Sequence, residues 1–478
     1  MTNKLCFAFA LVMSCAGLGC SPNASSILQN ATQAMGDVKS VQYSGTGHLS
    51  SLGQSYMPDT EWPPTNVTAY TKTIDYTSRS AKEELTRVEQ TPPIRGGGAP
   101  FAGEQKQVNL VSGDFAWNQP GDTPQPAPAA ADERQLQIWL TPHGFLKAAM
   151  ENNPTLAQSP DGNVISFSLG KFKVNGTIDG QNMVTKTETW IPNPVLGDML
   201  VETTYSDYKD FNGVKFPATI VQKQGGYPVL DLAVTAAQAN VDLPLTVPDA
   251  VKSATPPPVT VRSQQLGQGL WWIGGGSHNS VVAEFPEYLA VVEGPLNDAR
   301  SVAVMAEAKR LAPDKPIRYL INTHHHFDHS GGVRAYVAEG ATIITNDINK
   351  AFYERAWSAP RTLEPDMLSK EPKTPNFITV NDKYVLSDGG QTLEIYPRGD
   401  DNHNAGMLIV YFPRAKVLVE ADDFTPRPPN APPMPPRAKG FTVALYQQLQ
   451  KLGLDVRTIA PLHGNVAPYA ALRRAATS

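Results

Sequence analysis

From about residue 40 to 245 apolar and polar positions alternate with a period of two, the pattern of half-buried sheet. In Leu200-Val201-Glu202-Thr203-Thr204-Tyr205, the residues Val201, Thr203 and Tyr205 fall on one face. Asn212-Gly213 supplies a tight hairpin turn before Val214-Lys215-Phe216. A helix is predicted over 26–37, and another after Thr141-Pro142, where threonine can cap and proline suits the first turn. The Pro/Gly/Ala-rich stretches 91–104 and 119–131 read as surface loops.

From about 260 the rhythm changes. Short apolar strands at Leu270–Ile273, Ser280–Phe285 and Tyr288–Val292 precede a helix at Asp298–Leu311 and a buried strand at Ile317–Asn322. Helix and strand alternate through Trp357, and a second strand run covers 376–424, with a turn at Asp388-Gly389. A helix over 442–453, a strand at Thr458–Leu462 and a final helix close the chain. Two blocks of strands, each followed by helices, predict two sheets packed face to face with helices outside. The expected architecture is α+β in two domains. A β-rich domain spans 21–252, a Pro-rich linker 253–263 contains Pro256-Pro257-Pro258, and a second domain spans 264–478.

Composition narrows the function. With 41% apolar and 18% charged residues among 478, the chain can bury a sizeable core. Lys plus Arg number 40 against 45 Asp plus Glu, a formal charge of −5 with no basic run, which excludes a nucleic-acid partner. Gly (37) and Pro (42) are too frequent for a helical bundle. Residues 1–20 form a leader: Lys4, then the apolar or small stretch Leu5–Gly19, too short to span a membrane. Ala16-Gly17-Leu18-Gly19-Cys20 resembles a bacterial lipobox, with Leu18 one place closer to the cysteine than usual. The resemblance implies lipidation and membrane attachment at Cys20; ordinary signal cleavage is the alternative. Either way the expected location is the periplasm or cell envelope, as an outer-membrane lipoprotein if Cys20 is lipidated. Cys6, Cys15 and Cys20 are the chain's three cysteines, so the mature protein has no internal disulfide and no thiolate metal ligand. No protein partner is inferable.

The chemistry gathers in the second domain. Four of nine histidines lie within six residues, His324-His325-His326-Phe327-Asp328-His329, after an apolar strand and before Ser330-Gly331-Gly332. In an extended chain His324 and His326 project to one side. A turn then redirects Asp328 and His329 to an adjacent point, so one loop can serve two metal ions with the imidazole and carboxylate ligands that zinc favours.

His324-x-His326-x-Asp328-His329 resembles the signature of the metallo-β-lactamase superfamily, whose αββα sandwich fits the second domain. The resemblance implies further ligands, in order. His403, in His403-Asn404-Ala405-Gly406, joins His324 and His326 at the first metal. Asp422 resembles the bridging carboxylate. His463, in Pro461-Leu462-His463-Gly464, completes the second metal with Asp328 and His329. Where the family commonly has Asp after an early strand this chain has Glu293, expected to brace the histidine loop with longer reach; Ala421 stands for the common Gly. The first domain resembles the incomplete β-barrels of lipoprotein-carrier type, on strand order and leader, which implies acyl-chain binding; a docking or stabilising module is the alternative.

The resemblance implies two divalent ions, zinc first, with iron or manganese as alternatives. Such a pair lowers the pKa of a bridging water to about 7 and polarises the group attacked. Asp328, the candidate catalytic residue, would orient that nucleophile. Asp422 at the bridging position tilts the substrate towards an ester, lactone, thioester or lactam rather than a classical β-lactam antibiotic. A mononuclear-iron oxygenase of persulfide-dioxygenase type and a non-catalytic lipid- or metal-binding envelope protein are the competing functions. Thr425–Arg437 has seven prolines in thirteen residues and is expected to form a stiff wall beside the site. His278, in Gly274-Gly275-Gly276-Ser277-His278-Asn279, reads as a solvent-exposed turn histidine able to overhang the metals. Arg398 reads as a solvated rim charge. His325 reads as packed behind the ligands, and His48 and His143 as structural.

Overall fold

The computed structural model describes residues 23–399, 402–428 and 430–477. The leader with Cys6, Cys15 and Cys20 lies outside the described residues, as do the export and lipidation it was expected to direct. Among the described residues no helix is long and apolar enough to cross a membrane.

The first half is built on one antiparallel sheet of 13 strands among the described residues, its edges at Gln125–Pro126 and Thr155–Ser159. Neighbouring strands are hairpin partners in sequence, except where Ser40–Ser50 pairs with Tyr227–Ala239 and joins the two halves of the sheet. At the predicted hairpin Phe211 pairs with Val214, and Asn212 (φ 56°) and Gly213 (φ 92°) both take the left-handed backbone that such a turn requires. Val201, Thr203 and Tyr205 are buried together on one face. Asn23 caps the helix Ala24–Met35, accepting from the Ser26 N–H while Ser26 Oγ accepts from the Asn23 N–H. Ile27, Leu28, Ala31 and Met35 face the sheet and share its core with Phe145, Val174, Phe216 and Leu232.

Where one helix is expected near 142 there are two, Ala131–Trp139 and Pro142–Glu151. The first begins at the end of the stretch read as loop, because Asp132 and Glu133 in its first turn suit a helix start that the preceding Pro/Ala run obscured.

His143 is a structural histidine. Its Nε2–H donates to the Met35 carbonyl at 3.3 Å and its ring stacks on Phe216. Burial pushes its pKa down to about 4. An unfolded imidazole takes its proton near 6.5, so the stability tied to neutral His143 is complete above that pH and is lost as pH falls towards 4. Between pH 7 and pH 5 the loss amounts to about 2 kcal/mol. Melting curves of His143→Gln are therefore expected to fall less steeply over that interval than wild type; parallel slopes would remove this histidine from the account.

The second half holds two sheets. The first orders Arg262–Gly267, Leu270–Gly274, Ser280–Glu284, Leu289–Val292, Ile317–Ile321, Thr342–Asn346 and Asn376–Val380, the last four in parallel register. The second orders Tyr384–Asp388, Gln391–Pro397, Leu408–Phe412, Val417–Glu420, Thr458–Pro461 and Ala467–Pro468. A core including Val281, Val292, Ile321, Leu393, Val410 and Val419 lies between them. The outer face of the first sheet is covered by helices including Asp298–Leu311, Val333–Glu339 and Asp347–Trp357, and that of the second by Pro436–Leu452 and Tyr469–Thr477. Asn376–Val380 was expected in the second strand run but pairs with Thr342–Asn346 in the first sheet, since an apolar run does not say which sheet it joins.

The halves also touch. Arg361 donates to the carbonyls of Asn193, Pro194 and Val195, and the Val195 side chain is buried in the second half's core.

Candidate metal centre

The strand Ile317–Ile321 lies between two parallel neighbours, so its carboxyl end opens at an edge where several loops meet. There Asn322 and Thr323 lead into His324, His325 and His326, and a short helix over Phe327–Ser330 turns Asp328 and His329. His403 arrives before Leu408–Phe412, Asp422 after Val417–Glu420, His463 after Thr458–Pro461, and His278 in the turn between Leu270–Gly274 and Ser280–Glu284. Glu293 (φ 77°) and Asp422 (φ 62°) both hold left-handed backbone, which costs an L-residue about 1 kcal/mol or more.

Asp422 is the hub. Its Oδ2 lies 3.4 Å from His324 Nε2, 3.4 Å from His403 Nε2 and 3.1 Å from His329 Nε2, and its Oδ1 lies 3.1 Å from His463 Nε2. His329 Nε2 and His463 Nε2 are 3.1 Å apart. A tetrahedral zinc with ligands at 2.0–2.1 Å separates its ligand atoms by about 3.4 Å, so these spacings suit shared cations. Three overlapping groups form here, His324, His326 and His403; His278, Asp328, His329 and His463; and Glu293, His324 and His329, with the candidate ligand atoms of each group within 4.8 Å of one another.

The hydrogen bonds fix which nitrogen faces inward. His326 Nε2–H donates to the Ser55 carbonyl at 2.9 Å, His329 Nδ1–H to Glu293 Oε2 at 3.1 Å, and His463 Nδ1–H to the Ser277 carbonyl at 3.1 Å. Thr323 gives its proton to Glu293, which leaves its oxygen to accept from His324 Nδ1–H at 3.1 Å. The rings of His324, His326 and His463 are thereby held in one tautomer with the lone pair of the other nitrogen turned towards the centre, and Glu293 orients the ring of His329 so that Nε2 faces Asp422. His324 Nε2 and His326 Nδ1 are buried there without a hydrogen-bond partner, as ligand atoms awaiting a cation would be.

Electrostatics agree. Burial, reinforced by neighbouring imidazoles, holds His324 and His326 well below the usual histidine range. Burial works against ionisation of Asp422 and Asp328, yet His329 and the surrounding imidazoles hold both carboxyls well below theirs. Burial would also neutralise His329, but Asp422 and Asp328 raise it well above 6.5. Two anionic carboxylates in a largely buried pocket favour a bound cation.

Glu293 lies under the histidine loop. Fully buried, it accepts from Asn322 Nδ2 (2.8 Å), Thr323 Oγ1 and His329 Nδ1. Two expectations need correction. His278 is not an open turn histidine: it is 6% exposed, its Nε2 lies 3.2 Å from Asp328 Oδ2, and its ring sits 4.3 Å from that of His463. The Asn279 side chain, donating to the Pro461 and Gly464 carbonyls, pulls the turn inward. Arg398 is not a solvated rim charge. It is 3% exposed and forms a two-pronged pair with Asp423, at 2.5 and 3.2 Å, beneath Phe441 and Gln448. His325 is packed: Nε2 faces Ser55 Oγ, and Nδ1 accepts from Asn404. At the start of the Pro-rich segment, Thr425 and Pro426 close on Gly464, where a methyl group would meet them at 3.3 Å. His48 lies on the strand Ser40–Ser50, paired with Asn66 and Asp231.

Sequence reasoning missed the first half's contribution. Gln54 Nε2 donates to Asp328 Oδ1 at 2.7 Å, and Ser55 meets both His325 and His326. Nothing in Gly53-Gln54-Ser55-Tyr56 marks it, because the contact spans some 270 positions and has no local period.

Residues 273–434 match the family model described as Metallo-beta-lactamase superfamily. None of the curated proteins compared with the chain matches it. Among solved structures, the chain is similar to a metallo-beta-lactamase from Pontibacter korlensis (17% identity, TM-score 0.35, 46% of this chain and 98% of that one). It is similar also to the metallo-beta-lactamase FIM-1 from Pseudomonas aeruginosa in its mono-zinc form (20%, TM-score 0.35, 47% and 96%). A third is a metallo-beta-lactamase from Hirschia baltica (22%, TM-score 0.34, 45% and 96%).

Proposed function

Taking the second half, through residues 273–434, as a region of the metallo-beta-lactamase superfamily, we propose that this protein is an exported hydrolase that works with two divalent cations, zinc first. Its substrate is a carboxylic ester, lactone, thioester or lactam. The observation that carries the reading is the convergence on Asp422 of four imidazole nitrogens at 3.1–3.4 Å. His324, His326 and His403 would hold one cation, and Asp328, His329 and His463 the other, with Asp422 between them. Bound there, the cations supply a hydroxide near neutral pH and Lewis-acid polarisation of the scissile carbonyl.

The chain's own residues do the rest. The centre opens on the side of Asp328 and His463, whose side chains are 33% and 21% exposed, while those of His324 and His329 are at 0%. Substrate therefore approaches past Asp328. Asp328 Oδ2 would orient the nucleophile and take up its proton, and His278 Nε2, 3.2 Å away, would relay that same proton to the leaving group, returning both side chains to their starting state. Thr425 and Pro426 beside His463 form one wall of the mouth. The leader would carry the chain to the envelope, with Cys20 as a lipid anchor. The first half has a half-open pocket of about 450 Å³ lined by Tyr43, Leu85 and Phe216 and also by Lys72, Glu83 and Arg134, which would suit a ligand with an apolar part and a polar end.

The test is to load the purified protein with zinc, measure metal content, and assay the same sample on esters, lactones, thioesters, lactams and phosphodiesters. Two metals per chain with cleavage of a carboxylic derivative is the expected result. One iron with oxygen uptake, or metal binding without turnover of any of these, would overturn it.

A further inference from the structure

The loop between the strands Ser40–Ser50 and Pro64–Asp75 belongs to the first half, yet it ends inside the metal centre of the second. It touches both loops that carry the first group of histidines. In the loop of His324–His329, the Gln54 carboxamide reaches Asp328 Oδ1 (2.7 Å), the Ser55 carbonyl takes the His326 Nε2 proton (2.9 Å), and Phe327 N–H donates to the Gly53 carbonyl (3.3 Å). In the loop of His403, Ala405 N–H donates to the Tyr56 carbonyl at 2.9 Å. The second loop of the first half, 91–104, backs it: Gly97 N–H donates to the Gln54 carbonyl at 2.7 Å, and Gly96 N–H to the Asn402 carbonyl at 2.9 Å.

The contact is tight. Gly53 has φ 71°, and a Cβ there would fall 2.2 Å from the Phe327 ring, so only glycine lets the loop seat. Trp62 closes edge-on against the same ring.

We propose that residues 53–56 of the first half are a positioning element of the metal centre: Gln54 fixes the Asp328 carboxylate, and the Ser55 carbonyl fixes the tautomer of His326. Gln54 takes Asp328 Oδ1, which leaves Oδ2, beside His278 and His329, for the second cation and the nucleophile. The Ser55 carbonyl keeps the proton on His326 Nε2, which leaves Nδ1 for the first cation. Partners of this kind hold metal ligands in orientation, and their loss typically costs 10–100-fold in metal affinity or activity. The first half thus works at the centre rather than serving only as an anchor or carrier. This inference rests on the metal-centre reading above.

The experiment uses the full chain and reads the affinity of each cation site with zinc and a chromogenic chelator, together with the visible spectrum of the cobalt(II)-loaded protein. Gln54→Ala and Gln54→Met are both expected to weaken the second site about tenfold or more, to alter the cobalt spectrum, and to lower kcat more than they raise KM. Methionine fills the same space without the donor, so a purely packing role would instead let Gln54→Met behave as wild type, and that result would overturn the proposal. Gly53→Val drives the loop off Phe327 and is expected to weaken the first site as well. If it melts as a folded protein yet binds both cations as tightly as wild type, the proposal also fails. A wild-type protein that binds no cation would sink the hydrolase reading itself, whereas tight wild-type binding with indifferent variants would sink this inference alone.

Discussion

Asp422→Ala is expected to reduce bound metal from two ions per chain to one or none and to slow hydrolysis at least about 10³-fold, with the fold retained. One carboxylate touches four imidazoles at 3.1–3.4 Å, and its removal takes away the group common to both sets of ligands. Metal-centred stabilisation of developing charge is worth several kcal/mol, and each 1.36 kcal/mol is a factor of about ten in rate. His326→Ala should act likewise, through loss of the inward-facing Nδ1. Elemental analysis and turnover on one preparation check both variants; undiminished activity in metal-replete Asp422→Ala would contradict the two-cation mechanism.

The second large effect is expected at a residue that touches no cation. Glu293 accepts from Asn322, Thr323 and His329, with all four side chains buried. Alanine there leaves buried donors without acceptors at about 1–3 kcal/mol each, so Glu293→Ala is expected to cost about 3–5 kcal/mol of stability. Glu293→Gln keeps the shape but exchanges one acceptor oxygen for a donor facing other donors. It is expected to bind zinc about 10–100-fold more weakly while remaining folded at 25 °C. Denaturant melts and zinc titrations measure the two effects separately; a Gln variant with wild-type zinc affinity would show that His329 does not need this partner.

The buried side chains explain why some expectations held and others did not. The helix at Asp298–Leu311 and the strand into the histidine loop stand where the residue pattern placed them, because such runs are local properties of the chain. His278 and Arg398 misled for a common reason. A glycine-rich turn and a lone arginine look solvated in sequence, yet Asn279 draws one inward and Asp423 neutralises the other out of water. The helix Ala131–Trp139 was hidden by the prolines before it.

The order of the imidazoles and carboxylates along the chain, and the strand ends at which they stand, are legible in the residues alone, because side-chain type and short-range spacing are local properties. Tertiary structure alone decided which nitrogen of each ring faces inward, that Asp422 lies within 3.4 Å of four of them, and that Gln54 and Ser55 of the other half join the centre. Those are matters of distance between residues up to hundreds of positions apart. No periodicity encodes such distances; they follow from how the sheets pack and how one loop seats on Phe327.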